Sequence, residues 1–202
     1  MADAVLLLVD ACSAHASGDA SALAEALSVA ARECSATEVE EVLLQSHLFL
    51  GYPAALRGLT VWRQVSGTAA PAAATRDESE WEARGVATFR RVYGDQSERL
   101  RANARLLHPD LERWMVTEGY GKVLGRPALD LGTRELCIVA LLAWQDAAPQ
   151  LYSHLRGALN VGVPDARVNE VVERLAARLD GTRRETLRLQ WDAVRVRRTG
   201  NE

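Results

Sequence analysis

The sequence predicts an all-α protein. No segment alternates apolar and polar residues over the length of a strand with enrichment in β-branched residues, and Ala, Leu, Arg and Glu dominate the chain. Glycine and proline residues divide the chain into segments of helical length. These observations favour a protein built from helical hairpins.

The N-terminal part, residues 1–65, predicts four helices. Ser35 and Glu38 have the spacing of a capping box, in which each side chain bonds the other residue's backbone N–H. Gly51 before a proline predicts the end of one helix and the start of the next. The four predicted helices run from about Asp3 to Ala16, Ser21 to Glu33, Ala36 to Leu50, and Gly51 to Val65.

A stretch rich in small residues, within positions 66–77, is the predicted linker. The main helical region then covers residues 78–202, and we expect the two parts to form one compact domain. The next helix is predicted from Glu78 to Tyr93, and Asp95 with Glu98 predicts a second capping box, which opens a helix to about Leu107. Another helix is expected to begin at His108-Pro109.

The most informative stretch extends from Glu118 to Gly162. It contains an apolar run, Leu136 to Trp144, that is too short to cross a bilayer and predicts a buried helix. A second helix follows closely, with His154 at the flank of its apolar stripe. Two further helices are expected, from Asp165 to about Leu179 and on towards Val196.

Glu135 and His154 each permit two interpretations. A carboxylate in the first turn of a buried helix can be structural, because the helix dipole and the free N–H groups stabilise it. A lone histidine beside an apolar stripe can be a packing residue. If the two side chains meet, however, the carboxylate would orient the imidazole for proton transfer, as in general acid–base catalysis.

Composition and cysteine usage exclude several classes of function. The net charge of −3 and the absence of a basic block argue against nucleic-acid binding. Three distant cysteines, Cys12, Cys34 and Cys137, give neither a disulfide framework nor a zinc site and suit a reducing cytoplasm. The first ten residues lack the basic segment of a secretory signal. We therefore expect a cytoplasmic protein without a metal or membrane segment.

Four short sequences in this stretch resemble the carboxymuconolactone decarboxylase family, whose wider superfamily includes the AhpD-type alkylhydroperoxidases. They are Gly121-Lys122-Val123-Leu124-Gly125-Arg126-Pro127, Leu129-Asp130-Leu131, Thr133-Arg134-Glu135-Leu136 and His154-Leu155-Arg156-Gly157-Ala158-Leu159-Asn160. The AhpD-type peroxidases carry a glutamate, a CxxC pair and a histidine four residues after the second cysteine. Glu135 and His154 have that separation, but Ala147 and Gln150 occupy the cysteine positions.

The resemblance implies an AhpD-like helical bundle that forms a homo-oligomer and acts without a cofactor on a small organic acid or lactone. If active, the protein would be a decarboxylase-like lyase. Glu135 and His154 would handle the proton. Arg134, Arg126 and Arg156 are candidate anchors for a carboxylate, because guanidinium binds it through two parallel hydrogen bonds, and Tyr120 could donate its hydroxyl into the pocket.

Two other functions stay open at this point. The chain could be a redox-inactive AhpD relative that serves as a homo-oligomeric binding or structural protein. It could also be a peroxidase that uses Cys137 with an external thiol. Burial in an apolar run would make that thiol inert, and no second cysteine is near, which argues against the peroxidase.

The sequence also contains an internal similarity. Residues 26–44 align with residues 155–173 at a constant offset, so that Val39 matches Val168 and Val42 matches Val171. In addition, residues 41–55 resemble the segment that follows the histidine helix in the family. The N-terminal part is therefore a degenerate second copy, a permuted part of the domain, or a chance similarity between helices of like composition.

Overall fold

The computed structural model describes residues 2–72, 77–145 and 147–199, and within these ranges the chain is helical with no strand. The all-α prediction is therefore confirmed. The helices are α1 (Ala4–Ser17), α2 (Ala20–Glu33), α3 (Ala36–Gln45), α4 (His47–Ser66), α5 (Trp81–Tyr93), α6 (Ser97–Leu107), α7 (Pro109–Trp114), α8 (Leu131–Leu142), α9 (Ala148–Asn160), α10 (Asp165–Ala176) and α11 (Gly181–Thr199).

Local signals set several helix ends where they were expected. The reciprocal bonds of the capping box between Ser35 and Glu38 are present at the start of α3. Gly18 ends α1 with φ +78°, in the left-handed region that glycine adopts without a steric penalty. Asp130, which was not predicted as a cap, begins α8 by accepting a hydrogen bond from the backbone N–H of Thr133 at 2.9 Å.

Two local predictions were wrong. The third helix ends at Gln45 rather than Leu50, although the break predicted at Gly51 is present, since its φ of +78° interrupts the helical backbone within α4. The capping box expected from Asp95 is absent, since a 3₁₀ turn over Gly94–Gln96 leads directly into α6. The helix predicted to begin at His108-Pro109 does begin at Pro109, and after Trp114 it changes into a π-helix, Met115–Leu124.

The predicted linker lies only partly within the described residues. Ser66 is the last residue of α4, and residues 67–72 form no regular structure. Residues 73–76 are outside the described ranges.

The buried apolar side chains form one cluster, to which α1, α3, α5, α8, α9, α10 and α11 all contribute. Leu136 to Leu142 is buried throughout, which explains why α8 is apolar on every side. No described helix is both long and apolar enough to cross a membrane.

Glycines allow α5 and the π-helix to pack at very short range. A Cβ atom on Gly85 would lie 2.0 Å from the carbonyl oxygen of Val116, and one on Gly121 would lie 2.0 Å from that of Trp81. Both distances are far below van der Waals contact, so only glycine fits at these positions. This packing fixes the position of Tyr120 in the π-helix.

Helices α1–α4 correspond to α8–α11. The offset from Val39 to Val168 is 129 residues, and the same shift carries the start of α3 onto the start of α10. The packing also corresponds: α1 contacts α2 as α8 contacts α9, α2 contacts α4 as α9 contacts α11, and α1 and α8 pack on each other. This correspondence supports the interpretation of the N-terminal part as a degenerate copy. It also explains why residues 41–55 resemble a segment that follows the histidine helix.

Candidate active site

Glu135 and His154 meet in the interior of the protein. Glu135 lies one turn into α8 and is fully buried, while His154 lies in the middle of α9 with 5% of its surface exposed. The Nδ1 atom of His154 is 2.8 Å from Oε2 of Glu135. A carboxylate in this position accepts the proton of Nδ1–H, which leaves Nε2 with a lone pair that can take a proton from a ligand.

Gly157 provides the space for this contact. A Cβ atom at Gly157 would lie 2.6 Å from Oε2 of Glu135 and 2.8 Å from Cγ1 of Val92. Glycine at this point of α9 therefore allows the carboxylate to lie against the helix backbone, directly beside the histidine one turn earlier.

The second carboxylate oxygen is unusual. Oε1 of Glu135 is buried and makes no hydrogen bond within the part of the chain that the structure describes. A buried acceptor without a donor is costly, of the order of 1–3 kcal/mol, and charged groups cost more. Such atoms are uncommon in folded proteins and occur at functional sites, where a ligand or water supplies the missing donor.

Two tyrosine side chains lie beside the pair. The hydroxyl groups of Tyr93 and Tyr120 are 2.6 Å apart, and the ring centroid of Tyr93 is 6.3 Å from that of His154. Burial and the charge of Glu135 raise the pKa of both phenols above 10, so both stay protonated at neutral pH. Only one of the two protons is used in the bond between them, and the other can be donated to a ligand.

Arg126 and Arg134 are not free to bind a ligand in this structure. Arg126 contacts both carboxylate oxygens of Glu41 at 2.8 Å or less, and Nη2 of Arg134 lies 2.7 Å from Oε2 of Glu41. Arg134 is fully buried and also contacts Gln45 at 3.2 Å. Burial acts to raise the pKa of Glu41, but the hydrogen bonds from the two guanidinium groups outweigh it, and the pKa is lowered. Their role as carboxylate anchors stays a prediction, and the structure gives them an internal partner.

Arg156 has a different environment. It lies half-buried on α9, two residues after His154, and makes no hydrogen bond or ion pair with the described residues. Of the three arginines singled out in the sequence, it is the one whose guanidinium is available.

Cys137 has the inert environment that its apolar neighbours predict. It is fully buried on α8, and a hydrogen bond with Cys12, together with burial, raises the pKa of its thiol well above 9. No cluster of three or more potential metal-binding side chains is found among the described residues.

Sequence reasoning missed Tyr93, Phe49 and Glu41. The ring of Phe49 packs edge-on against His154 at 5.7 Å, although the two residues are far apart in sequence. Each of the three residues lies in a helix outside the stretch from Glu118 to Gly162, and the family-like character of residues 41–55 does not show that Glu41 and Phe49 contact that stretch. The N-terminal copy keeps no equivalent of the pair, since Leu6 and Glu25 occupy the positions that correspond to Glu135 and His154 at the offset of 129 residues.

Comparison with known proteins agrees with the resemblance noted in the sequence. Residues 109–192 match the sequence model of the carboxymuconolactone decarboxylase family. The chain is 27% identical over 165 residues to Peroxisomal protein 2 of Saccharomyces cerevisiae, which covers 67% of this chain and 58% of the yeast protein. It is 29% identical over 138 residues to Peroxisomal protein 2 of Schizosaccharomyces pombe, which covers 65% of this chain and 63% of that protein.

The chain thus spans about three fifths of the length of these two curated relatives. The matched region contains the π-helix, the helix that carries Glu135 and the helix that carries His154. Residues 109–192 are therefore similar to the carboxymuconolactone decarboxylase family.

Proposed function

We propose that the chain is a cofactor-independent acid–base enzyme that decarboxylates a small organic acid or lactone. The observation that carries the proposal is the buried contact of 2.8 Å between Nδ1 of His154 and Oε2 of Glu135. A paired carboxylate and imidazole can hold and deliver one proton, and the family whose sequence model residues 109–192 match is named for a decarboxylase.

In the proposed reaction the C–C bond to the carboxylate breaks and CO2 leaves. The bonding electron pair stays on the carbon and is delocalised into an adjacent carbonyl group. Nε2 of His154 first takes up a proton from the incoming acid or from water and then donates it to that carbon, and Glu135 stabilises the intervening imidazolium through Nδ1–H. The hydroxyl pair of Tyr93 and Tyr120 is placed to donate a hydrogen bond to the oxygen on which negative charge develops.

The test is CO2 release from a panel of small lactone and keto carboxylic acids. Glu135→Gln keeps the size of the side chain and His154→Gln keeps a polar group, so both variants should fold. We expect each to lower kcat/KM by about 100-fold or more, the range for loss of a general acid–base group. Glu82→Gln, which removes one exposed carboxylate that has no bonded partner among the described residues, is the charge-matched control.

Two results would contradict the proposal. One is wild-type turnover in both variants, which would make the pair structural. The other is a wild type that turns over none of the acids, which would leave the binding or structural homo-oligomer as the better description. Hydroperoxide reduction that is lost in Cys137→Ser would instead favour the peroxidase.

Association into a homo-oligomer is part of the proposal. The corner between α6 and α7 exposes four large apolar side chains, Leu106, Leu107, Leu111 and Trp114, with exposed fractions from 49% to 86%. An exposed apolar group of this kind is typical of an association surface. Light scattering on the purified chain would give the subunit number.

The compartment is also part of the proposal. The three cysteines are free thiols, which fits a reducing compartment such as the cytoplasm. The two relatives are named as peroxisomal proteins. Imaging the chain with a fluorescent tag at either end would distinguish the two compartments.

A further inference from the structure

Three arginines line a small cavity on the outer side of Tyr93. The cavity has a volume of about 220 Å³ and lies between α6, α9 and the end of α11. Arg99 of α6, Arg156 of α9 and Arg197 of α11 contribute guanidinium groups, and no Asp or Glu is among its lining residues. The chain as a whole is acidic, so this concentration of positive charge is local.

The cavity arginines differ from most others in the described chain. Arg63, Arg101, Arg126, Arg134, Arg167, Arg174 and others form ion pairs with carboxylates. Arg99 and Arg156 form none with the described residues, and Arg197 lies over the ring of Tyr152, at 5.6 Å from its centroid. Positive charge that no carboxylate of the described residues neutralises is suited to an anionic ligand.

The cavity shares Tyr93 with the surroundings of the Glu135–His154 pair. Tyr93 lines the cavity, and the same ring packs near His154 while its hydroxyl bonds that of Tyr120. Ser153 and Arg156 line the cavity from the same helix that carries His154. A ligand that is held by the arginines would therefore lie beside Tyr93, whose ring centroid is 6.3 Å from that of His154.

We propose that this cavity binds a carboxylate group of the substrate, with Arg99, Arg156 and Arg197 as the residues that select an anion. The inference rests on the proposed function, since it names the substrate class of the same site. The volume is below the range of about 300–1,000 Å³ for pockets that hold drug-sized ligands, so the ligand is a small acid. Guanidinium groups from three helices favour a substrate with a carboxylate besides the one that is lost.

The experiment is isothermal titration calorimetry of the full chain at low ionic strength. The probes are citrate, succinate and inorganic phosphate, with succinamide as the uncharged analogue of succinate. We expect the two carboxylates to bind and succinamide not to bind. Phosphate that binds more tightly than both carboxylates would overturn the assignment to a carboxylic acid.

Arginine variants test which side chains bind the carboxylate probes. We expect Arg99→Gln and Arg156→Gln each to weaken carboxylate binding about tenfold, as loss of one charge-assisted hydrogen bond does. Arg156→Lys keeps the charge but loses the paired geometry, and its affinity should lie between those of Arg156→Gln and the wild type. Arg91→Gln is the matched control: it removes the same charge from an exposed position outside the cavity and should bind as the wild type does.

The outcomes separate this inference from the proposed function. If Glu135→Gln loses turnover but binds the carboxylates, and the arginine variants lose binding, both hold. If the carboxylates bind through the arginines but no acid is turned over, the cavity assignment stands and the enzyme proposal falls. If no carboxylate binds, or if Arg91→Gln weakens binding as much as Arg156→Gln, the cavity assignment is overturned.

Discussion

At the scale of single residues, the position of Glu135 depends on the lack of a side chain at Gly157. Glu135 lies against the backbone of α9 because Gly157 has no Cβ atom. The glycine thus determines where the carboxylate lies relative to His154, although it has no functional group of its own.

Substitution of Gly157 tests this dependence. In Gly157→Ala the new methyl group would lie 2.6 Å from Oε2 of Glu135, so the carboxylate must move away from Nδ1 of His154. We expect a fall in kcat of about tenfold or more, because general acid–base catalysis requires contact within about 3.2 Å. Assay of CO2 release from the substrate that the wild type accepts would measure it.

Gly119→Ala is the matched control. Gly119 is a buried helical residue at which an added Cβ atom meets nothing within 4 Å. The activity of Gly119→Ala should equal that of the wild type. If both variants are equally impaired, loss of glycine as such is responsible, and the positioning of Glu135 by Gly157 is not supported.

The free energy of unfolding should depend on pH through His15. Burial, with a smaller effect of Arg57, lowers the pKa of His15 from 6.5 to about 4, and its Nε2 contacts Oγ of Ser46 at 3.1 Å. Below pH 6.5 the unfolded chain takes up a proton that the folded chain does not, so stability is lost as the pH falls from about 6.5 towards 4. The loss should be about 2 kcal/mol at pH 5.

Urea unfolding at pH 7 and pH 5 would measure this loss. His15→Gln should remove most of the difference between the two pH values, whereas His108→Gln, at an exposed position, should retain it. An unchanged pH dependence in His15→Gln would assign the effect to another group.

At the scale of elements, α3 is bound to α8 through charge. Glu41 of α3 is 3% exposed and neutralises two arginines, one of them fully buried on α8. The equivalent contact from the C-terminal helices to the N-terminal helices joins α10 to α1, where Arg174 donates hydrogen bonds to Asp10. The two copies are thus linked by ion pairs as well as by their shared apolar core.

Removal of Glu41 should be strongly destabilising. Glu41→Gln leaves the buried charge of Arg134 without its counter-ion, which costs about 3–5 kcal/mol. Glu170→Gln is the matched control from the second copy, since Glu170 corresponds to Glu41 at the offset of 129 residues but pairs with Arg167 at the surface. That change should cost less than about 1 kcal/mol.

Chemical denaturation at pH 7 compares the two variants. The lowered pKa of Glu41 adds a second check: its stabilisation is present above the carboxyl's ordinary pKa of 4.5 and is lost as the pH falls through the lower, folded-state value. Equal effects of Glu41→Gln and Glu170→Gln would mean that the buried network contributes no more than a surface pair.

The sequence predicted most helices because their signals are local. Asp3, Gly18 and the Ser35–Glu38 pair act within one turn, so their effect can be read directly from neighbouring letters. The break at Ser46 and the π-helix after Trp114 have no such signal. Both depend on packing, as the close approach of α5 to the π-helix at Gly121 illustrates.

The candidate site was predictable only in part for the same reason. Glu135 and His154 stand in adjoining helices at a recognisable spacing, so a motif can find them. Tyr93, Arg99 and Arg197 come from helices that share no motif with them, and only the tertiary structure brings them to one place. Arg126 and Arg134 were attractive as anchors because the sequence does not show that Glu41 reaches them.

At the scale of the whole molecule, the N-terminal and C-terminal sets of helices contribute different residues to the candidate site. The C-terminal copy carries the Glu135–His154 pair, whereas the N-terminal copy has Leu6 and Glu25 at those positions and supplies Glu41 and Phe49 instead. The N-terminal helices therefore contribute to the site in the C-terminal helices and carry no Glu–His pair at the corresponding positions.

The exposed residues 69–72, which follow α4, offer a point at which the chain can be divided. A break there severs no helix and leaves the bonds of Glu41 to Arg126 and Arg134 intact across the cut. Two co-expressed fragments should consequently reassemble by themselves, and a tag on one should recover the other. With the chain in two fragments, a wild-type fragment could be replaced in vitro by one that carries a substitution. The affinity between the two fragments could then be measured by titration.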